Sequence, residues 1–292
     1  MKTVVLATDF SAASANALEH AALLAQRYGA TLHALHVAVK APADDPALQA
    51  AFPDREKYQQ ALAKIADENL AGVATSFEVP IIKKVVSGVA APPVIVDYAR
   101  NHRADVVVLG SHGRQGLSHV LLGSVAQRVV RMANVPVLVV GQGERHQLSK
   151  GAYGRVLLPV DLSAASGRAR QIAGDICRSH GADLIAVHVI EPALDPLYSA
   201  APFDTDITTR AEMTVRRYLD EVGDLQPTLW MAKGRVHEEI TRIAREQKVD
   251  LIVIGTAGSG GGLGRLMVGS VTGRVLRSAP CPVLAVTPPH AR

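Results

Sequence analysis

The sequence has few aromatic residues, few cysteines and no long hydrophobic run. Aromatic residues make up 4% of the 292 residues, so no platform for stacking nucleic-acid bases is evident. The two cysteines, Cys177 and Cys281, form no CxxC pair, which argues against a disulfide framework or a zinc knuckle and predicts packed thiols. Because no apolar run could span a membrane and the N-terminal run is too short for a signal peptide, we expect a cytoplasmic protein that does not bind membranes.

Excess charge and catalytic motifs are also missing. The formal net charge is +4, and basic residues alternate with acidic ones, which argues against an extended nucleic-acid interface. The sequence lacks the GxxxxGK(S/T), HExxH and GxSxG patterns of P-loop enzymes, zinc proteases and serine hydrolases. It therefore predicts no catalytic residue and no metal ligand. Any phosphoryl transfer is expected to be slow, because no base or arginine finger is evident.

The chain does contain a duplication. The segment VLGSHG…LLGSVAQRVVRMANVPVLVV recurs near the C-terminus as VIGTAG…MVGSVTGRVLRSAPCPVLAV, and the first strand pattern recurs from Arg155. Asp9, which follows the first apolar run, lies 152 residues before its counterpart Asp161. The repeat predicts two domains of ordinary size, residues 1–141 and 155–292, joined by a polar, glycine-rich linker at 142–154.

Short apolar runs alternate with helical patterns in both repeats. This alternation implies right-handed crossovers, so we predict an α/β fold of two tandem doubly wound domains. Each would be a five-stranded parallel sheet with helices on both faces. In the first repeat, strands are predicted over Thr3–Thr8, Thr31–Val39, Ser76–Val86, Asp105–Leu109 and Val135–Val140, and a helix over Val120–Met132. In the second repeat, a helix is predicted over Thr208–Val222 and strands over Thr228–Met231 and Pro282–Val286.

A glycine-punctuated segment follows the fourth predicted strand. Gly110, Gly113 and Gly123 precede Ser124 and a helical pattern. Glycines let backbone amides approach a ligand, and a helix that begins near Ser124 adds unpaired N–H groups and a positive dipole end. This chemistry suits phosphate. The alternative is a flexible loop without a ligand. Ser124 and Ser270 are also candidates for helix caps, a role that is compatible with phosphate binding.

Asp9 and Gly110 each follow the carboxyl end of a predicted strand. If those strands are neighbours where the winding reverses, the carboxylate and the loop flank one crevice that suits a nucleotide. The alternative for Asp9 is an acid favoured by a helix dipole. His36 and His188 recur in the second strands, where a hydrogen-bonded core histidine is the commoner case.

The second loop departs from the first by one residue. Ten residues separate Gly258 from Gly269, whereas nine separate Gly113 from Gly123, and the difference falls in the glycine-rich stretch at 259–262. The extra glycines either absorb the insertion at an entropic cost or leave a loop that does not close on phosphate.

The glycine spacing, Asp9 and the strand end Leu35-His36-Val37 resemble the universal stress protein family in its tandem two-domain form. The resemblance covers nearly the whole chain and implies a Rossmann-like, adenine nucleotide alpha hydrolase-like fold. Members with the full motif typically bind ATP, so it implies ATP, ADP or AMP as ligand, with Mg²⁺ held by the phosphates. Asp9 would contact the adenosine part and the Val37 backbone would bind adenine. The residues that it marks as nucleotide-binding are Ala7, Asp9, Val37, Leu109, Gly110, Gly113, Gly123, Ser124, Val125, Pro159, Asp161, Val189, Gly255, Gly258, Gly269, Ser270 and Val271.

Three functions are compatible with these residues. The leading hypothesis is a stress-response module that senses adenine nucleotide and acts on a protein partner that the sequence does not name. The second is slow ATP hydrolysis or autophosphorylation on Ser124 or Ser270. The third is a nucleotide-free scaffold.

The family resemblance also implies a mode of assembly. Val135–Val140 and Pro282–Val286 would lie at sheet edges, and an unpaired edge needs a partner. Family members pair these strands across a dimer, so the resemblance implies an internal pseudo-dimer of the two domains. Whether two chains then form a homodimer stays open.

Overall fold

The chain divides into two compact units that follow the duplication. The computed structural model describes residues 1–39, 55–73, 77–111, 122–143, 151–191, 205–256 and 269–288. The units are Met1–Leu148 and Ser149–Arg292. In the residues described, no helix has both the length and the apolar character that a membrane span requires.

The first unit alternates strands and helices in the order that the sequence predicts. Its strands are β1 (Thr3–Ala7), β2 (Thr31–Val39), β3 (Ile81–Gly88), β4 (Val106–Gly110) and β5 (Val137–Val140). Its helices are α1 (Ala12–Tyr28), α2 (Arg55–Ala71), α3 (Ala91–Asn101) and α4 (Ser124–Met132).

The second unit repeats this order. Its strands are β6 (Arg155–Pro159), β7 (Asp183–Ile190), β8 (Thr228–Lys233), β9 (Leu251–Gly255) and β10 (Val283–Val286). Its helices are α5 (Ala164–His180), α6 (Thr205–Leu219), α7 (Val236–Glu246) and α8 (Ser270–Ser278), and a 3₁₀ turn at Asp220–Val222 follows α6.

Each unit is a doubly wound α/β sheet, which confirms the predicted fold class. The strand order is β3-β2-β1-β4-β5 in the first unit and β8-β7-β6-β9-β10 in the second, with parallel pairing. The chain winds outward from β1 to β3 and then crosses to β4 on the other side of β1. The winding therefore reverses between β1 and β4, and between β6 and β9, where open sheets of this class bind ligands.

Local sequence explains how α1 is placed against the sheet. The Ser11 hydroxyl caps the helix by accepting the Ser14 N–H, and Gly29 ends it in the left-handed conformation with φ of 61°. The small residues of one face are buried, so the helix backbone lies close to the strands. Ser163 and Gly181 place α5 in the same way.

Prolines explain why three strands begin later than predicted. The strands β3, β5 and β10 begin directly after Pro80, Pro136 and Pro282. Proline has no N–H to donate to a ladder and restricts the residue before it, so each of these strands begins at the residue after its proline.

Other predicted boundaries are also wrong. Strand β1 ends at Ala7 instead of Thr8, and β8 continues to Lys233 instead of stopping at Met231. Helix α6 begins at Thr205 and becomes a 3₁₀ turn after Leu219. Helix α4 begins at Ser124 and not at Val120, which itself lies outside the described residues.

Both cysteines are packed in the core of the second unit, as the sequence predicts. Cys177 and Cys281 are each 1% exposed, and they form no disulfide. Burial is the main cause that raises the pKa of the Cys177 thiol to about 12. The thiol is therefore protonated at neutral pH and is not a reactive nucleophile.

Candidate functional site

The ends of β1 and β4 lie side by side at the carboxyl end of the first sheet. Ala7 pairs with Leu109 in the parallel register, and both side chains are buried. Asp9, which follows β1, and Gly110, which ends β4, therefore flank the point where the winding reverses. We call this place the carboxyl-end crevice, and the equivalent place in the second unit lies between β6 and β9.

The backbone of Val37 is directed toward the crevice. Along β2, the Thr31 N–H donates to the carbonyl oxygen of Lys2, directly before β1, and the Leu35 carbonyl oxygen accepts the Thr8 N–H, directly after β1, at 2.9 Å. Backbone groups alternate sides along a parallel strand, so the N–H and C=O of Val37 also point to the side of β1. Because β1 ends before this level, they face the space beyond its last residue.

A tight turn holds Asp9 beside the crevice. Its Oδ1 accepts the Ser11 N–H at 3.1 Å, and Phe10 between them has a left-handed φ of 64°. Such a conformation costs about 1 kcal/mol or more in a non-glycine residue and recurs at functional sites. The second unit repeats the turn, with Asp161 Oδ1 at 3.0 Å from the Ser163 N–H and a φ of 63° between them. The carboxylate thus has a structural role that also fixes its direction.

Thr8 supports the same turn from the end of β1. Its Oγ1 accepts the Phe10 N–H at 3.1 Å and lies 3.2 Å from Ser14 Oγ. Its carbonyl oxygen accepts a hydrogen bond from His36 Nδ1 at 2.8 Å, so that nitrogen carries the proton. The ring of His36 stacks on Phe10 with centroids 4.6 Å apart. His188 makes the matching 2.8 Å bond, which supports the hydrogen-bonded interpretation of both histidines.

Close packing of helix α1 requires the glycine at position 110. A Cβ atom on Gly110 would lie 2.9 Å from the backbone of Ala13 and Ser14, closer than such atoms approach in real structures. A Cβ on Gly255 would lie at the same distance from Ala165. The sequence analysis assigned these glycines to the close approach of a ligand, whereas helix packing is sufficient to explain why both positions are glycine.

Two hydrogen bonds fix the ends of the first glycine-rich loop. The Ser111 N–H donates to the Val140 carbonyl oxygen at 2.7 Å, and the Ser111 carbonyl oxygen accepts the Gly123 N–H, also at 2.7 Å. The start of α4 is thereby held against the carboxyl end of β4. Gly113 lies outside the described residues.

The second loop is fixed by the same pair of bonds. The Thr256 N–H donates to the Val286 carbonyl oxygen at 2.8 Å, and the Gly269 N–H donates to the Thr256 carbonyl oxygen at 2.7 Å. The additional residue therefore does not prevent the two ends of the loop from meeting. Gly258 and the insertion itself lie outside the described residues.

Helices α4 and α8 begin without a side-chain cap in the part of the chain that the structure describes. Gly123 and Gly269 occupy the cap positions, so Ser124 and Ser270 are the first helical residues and their predicted role as caps is wrong. The first-turn amides of a helix have no intrahelical acceptor, and the dipole makes that end positive. Ser124 and Val125 are also exposed residues, and an uncapped helix N-terminus of this kind suits an anion.

Pro159 makes the second crevice different from the first. Strands β1 and β4 pair at four positions up to Ala7, whereas β6 and β9 pair only at Val156 and Leu157. Proline cannot donate a ladder hydrogen bond, which accounts for the shorter pairing.

Most of the predicted nucleotide-binding residues come together at the carboxyl ends of the two sheets. Val189 occupies the place of Val37. The Val160 N–H donates to the carbonyl oxygen of Val187, two residues before Val189, just as the Thr8 N–H donates to that of Leu35, two residues before Val37. In the first unit the structure gathers Ala7, Asp9, Val37, Leu109, Gly110, Gly123, Ser124 and Val125. In the second it gathers Pro159, Asp161, Val189, Gly255, Gly269, Ser270 and Val271.

Sequence reasoning missed the hydroxyl groups that support the aspartate turns. Ser14 and Ser166 recur 152 residues apart, and each follows its helix cap by three residues, so the repeat itself could have identified them. Thr8 and Tyr218 also contact these serines. Tyr218 carries no signal in the sequence, because it reaches the turn from a distant helix.

Comparison with known proteins agrees with this architecture. The sequence profile of the universal stress protein family matches residues 1–141 and 152–287. Universal stress protein MJ0531 of Methanocaldococcus jannaschii is 35% identical over 144 residues, which is 48% of this chain and 81% of that protein. Universal stress protein Rv2005c of Mycobacterium tuberculosis is 32% identical over 205 residues, 67% of this chain and 66% of that protein.

Among solved structures, a universal stress protein from Archaeoglobus fulgidus superposes with a TM-score of 0.64 at 21% identity, covering 98% of both chains. Protein PA1789 of Pseudomonas aeruginosa, described as functionally unknown, gives a TM-score of 0.69 at 18% identity over 99% of this chain and 93% of its own. These two likenesses concern the fold alone. Since the family profile matches both repeats over nearly their whole length, the chain belongs to the universal stress protein family.

Proposed function

We propose that each unit binds an adenine nucleotide, with ATP as the first candidate, and that occupancy serves as a stress-response signal. The observation that carries the proposal is the uncapped N-terminus of α4, which is held at the carboxyl-end crevice beside Asp9 and the Val37 backbone. A helix N-terminus of this kind suits phosphate, and the reversal of winding is where ligands bind in open α/β sheets.

The three parts of the crevice match the three parts of a nucleotide. The Val37 N–H and C=O offer one donor and one acceptor, which complement the acceptor and donor on the edge of adenine. The Asp9 carboxylate accepts hydrogen bonds and so suits the ribose hydroxyls. The amides of Ser124 and Val125 would bind the phosphates. The order of these groups across the sheet is therefore base, ribose, phosphate.

Binding of Mg²⁺ would require the bound nucleotide. In the described part of the chain, no three His, Cys, Asp or Glu side chains form a group that could hold a metal ion. Mg²⁺ prefers phosphate oxygens and water with one or two carboxylates. We therefore propose that Mg²⁺ binds the phosphates of the bound nucleotide and that this chain orients those phosphates.

Mass spectrometry of small molecules released from the purified protein tests the proposal. Gly123 has φ of −59° and ψ of 146°, which a valine also adopts, so Gly123→Val should fold. Its branched side chain would obstruct phosphate at the start of α4. We expect ATP or ADP from the wild-type protein and a reduced amount from the variant. Gly110→Val is unsuitable, because α1 occupies the space its side chain would need.

Asp9→Asn is the matched test of the carboxylate. Asparagine keeps the Oδ1 that accepts the Ser11 N–H, so the turn should be retained while the charge is lost. We expect the variant to unfold at the wild-type temperature and to bind ATP more weakly in calorimetry. If the wild-type protein releases no nucleotide and binds no added ATP, the proposal is wrong and the nucleotide-free scaffold takes its place.

The mode of assembly is a separate proposal that rests on the edge-strand argument from the sequence. Within its own unit, β5 pairs with β4 and ends the strand order, and β10 has the same place beside β9. We propose that each of these two last strands pairs with a further strand and that the two domains form an internal pseudo-dimer. Light scattering of the full chain would then show whether a homodimer forms in addition.

A further inference from the structure

The first turn of α5 contains a buried hydroxyl that links the second site to another helix. Ser166 is 2% exposed, and its Oγ accepts hydrogen bonds from the Tyr218 hydroxyl at 3.2 Å and from the Asp161 N–H at 3.4 Å. Tyr218 belongs to α6, 52 residues further along the chain. A side chain of α6 therefore supports the backbone of the site aspartate.

Arg170 holds Tyr218 in place. Its guanidinium lies 4.0 Å from the centroid of the Tyr218 ring and donates to the Tyr218 carbonyl oxygen. The same guanidinium pairs with Glu221, while the arginine side chain is only 6% exposed. Burial is the main cause that raises the pKa of Tyr218, so its hydroxyl keeps the proton that it donates. The guanidinium thus lies over the ring of Tyr218, whose hydroxyl is directed at Ser166.

The first unit supports its turn with a different group. There the Thr8 hydroxyl, directly after β1, donates to Ser14 Oγ at 3.2 Å, and Ser14 Oγ itself donates to the Ser11 carbonyl oxygen. Val160 occupies the equivalent place in the second unit and has no hydroxyl, and Leu18 occupies the place of Arg170. One unit therefore uses a threonine that is local in sequence, and the other uses a tyrosine from α6.

We propose that Tyr218 is a positioning residue of the second nucleotide site, which acts through Ser166 on the backbone of Asp161 and couples this site to helix α6. The inference rests on the proposed nucleotide-binding function. Coupling of this kind is reciprocal. The packing of α6 raises the affinity of the second unit for nucleotide by some factor, and bound nucleotide therefore stabilises that packing by the same factor. In the first unit the hydroxyl comes from Thr8, directly after β1, and the described contacts of Ser14 include no side chain of α2.

Tyr218→Phe tests the proposal in the full chain. It removes the hydroxyl and keeps the ring beneath Arg170. In a Gly123→Val background, where the second site is measured alone, calorimetry with ATP should show a Kd about threefold to tenfold weaker, the effect of one hydrogen bond. Val160→Thr should restore affinity in the Tyr218→Phe protein, because it supplies the hydroxyl that the first unit uses.

Tyr98→Phe is the matched control, since it removes a tyrosine hydroxyl that binds His33 in the first unit. It should leave the Kd of the second site unchanged. Hydrogen exchange gives an independent readout, because Tyr218→Phe should accelerate exchange at Asp161 and Leu162, and ATP should slow exchange in α6 of the wild-type protein only.

The outcomes separate this inference from the proposed function. If the second site binds ATP equally well with and without the Tyr218 hydroxyl, the positioning role is overturned while the function stands. Binding by the first unit alone overturns it too. If no nucleotide binds either unit, the proposed function fails, and the coupling to nucleotide fails with it.

Discussion

His33 is a buried histidine at the opposite end of β2 from Val37. Its Nδ1 lies 3.0 Å from the Tyr98 hydroxyl, and His102 stacks on the ring of Tyr98 with centroids 3.9 Å apart. Burial, followed by the proximity of His102, lowers the pKa of His33 below its ordinary value of 6.5. The folded chain therefore favours the neutral imidazole.

This shift predicts a loss of stability in mild acid. Between the folded-state pKa and the ordinary pKa of 6.5, the unfolded chain binds more protons at His33, so the free energy of unfolding falls with decreasing pH. The loss should begin below about pH 6.5 and level off once the pH is below the folded-state pKa. His33→Ile should remove this component in urea unfolding at several pH values, because Ile185 occupies the equivalent place in the second unit.

His102→Gln provides the control for the histidine pair. It copies Gln247 of the second unit and removes the second cause of the shift, so it should reduce the acid loss without abolishing it. Equal pH dependence in the wild-type and His33→Ile proteins would contradict the assignment to His33.

At the scale of elements, α1 and α4 begin in different ways although each has a serine at its start. Ser11 caps α1 by accepting the Ser14 N–H, whereas Ser124 is the first residue of an uncapped α4. Ser11→Ala should therefore lower the free energy of unfolding by about 1 kcal/mol. Ser124→Ala should change it by less than about 0.5 kcal/mol, as exposed substitutions usually do. Urea denaturation measures both, and equal losses would show that Ser124 does cap its helix.

The order of the elements was predictable, because apolar periodicity and glycine or proline boundaries are local properties of the sequence. Strand starts were misplaced at prolines, which do not interrupt the hydrophobic pattern but have no N–H to donate to the ladder. Asp9 and the glycine-rich loop could be recognised because they recur. The packing reason for a glycine at position 110 could not be predicted, since it depends on close approach of α1, which lies nearly a hundred residues earlier in the chain. Tyr218 was unpredictable for the same reason, because its role depends on the packing of α6.

For the whole molecule, the matching closure of the two loops predicts two nucleotides per chain. Gly123 and Gly269 have nearly equal φ, −59° and −53°, so valine at either position should be tolerated by the fold. Calorimetry with ATP should give two sites in the wild-type protein, one in Gly123→Val, one in Gly269→Val and none in the double variant. The separate loss of each site follows because each loop closes on its own unit. A wild-type stoichiometry of one that is abolished by Gly123→Val and unaffected by Gly269→Val would show that the inserted residue has abolished the second site.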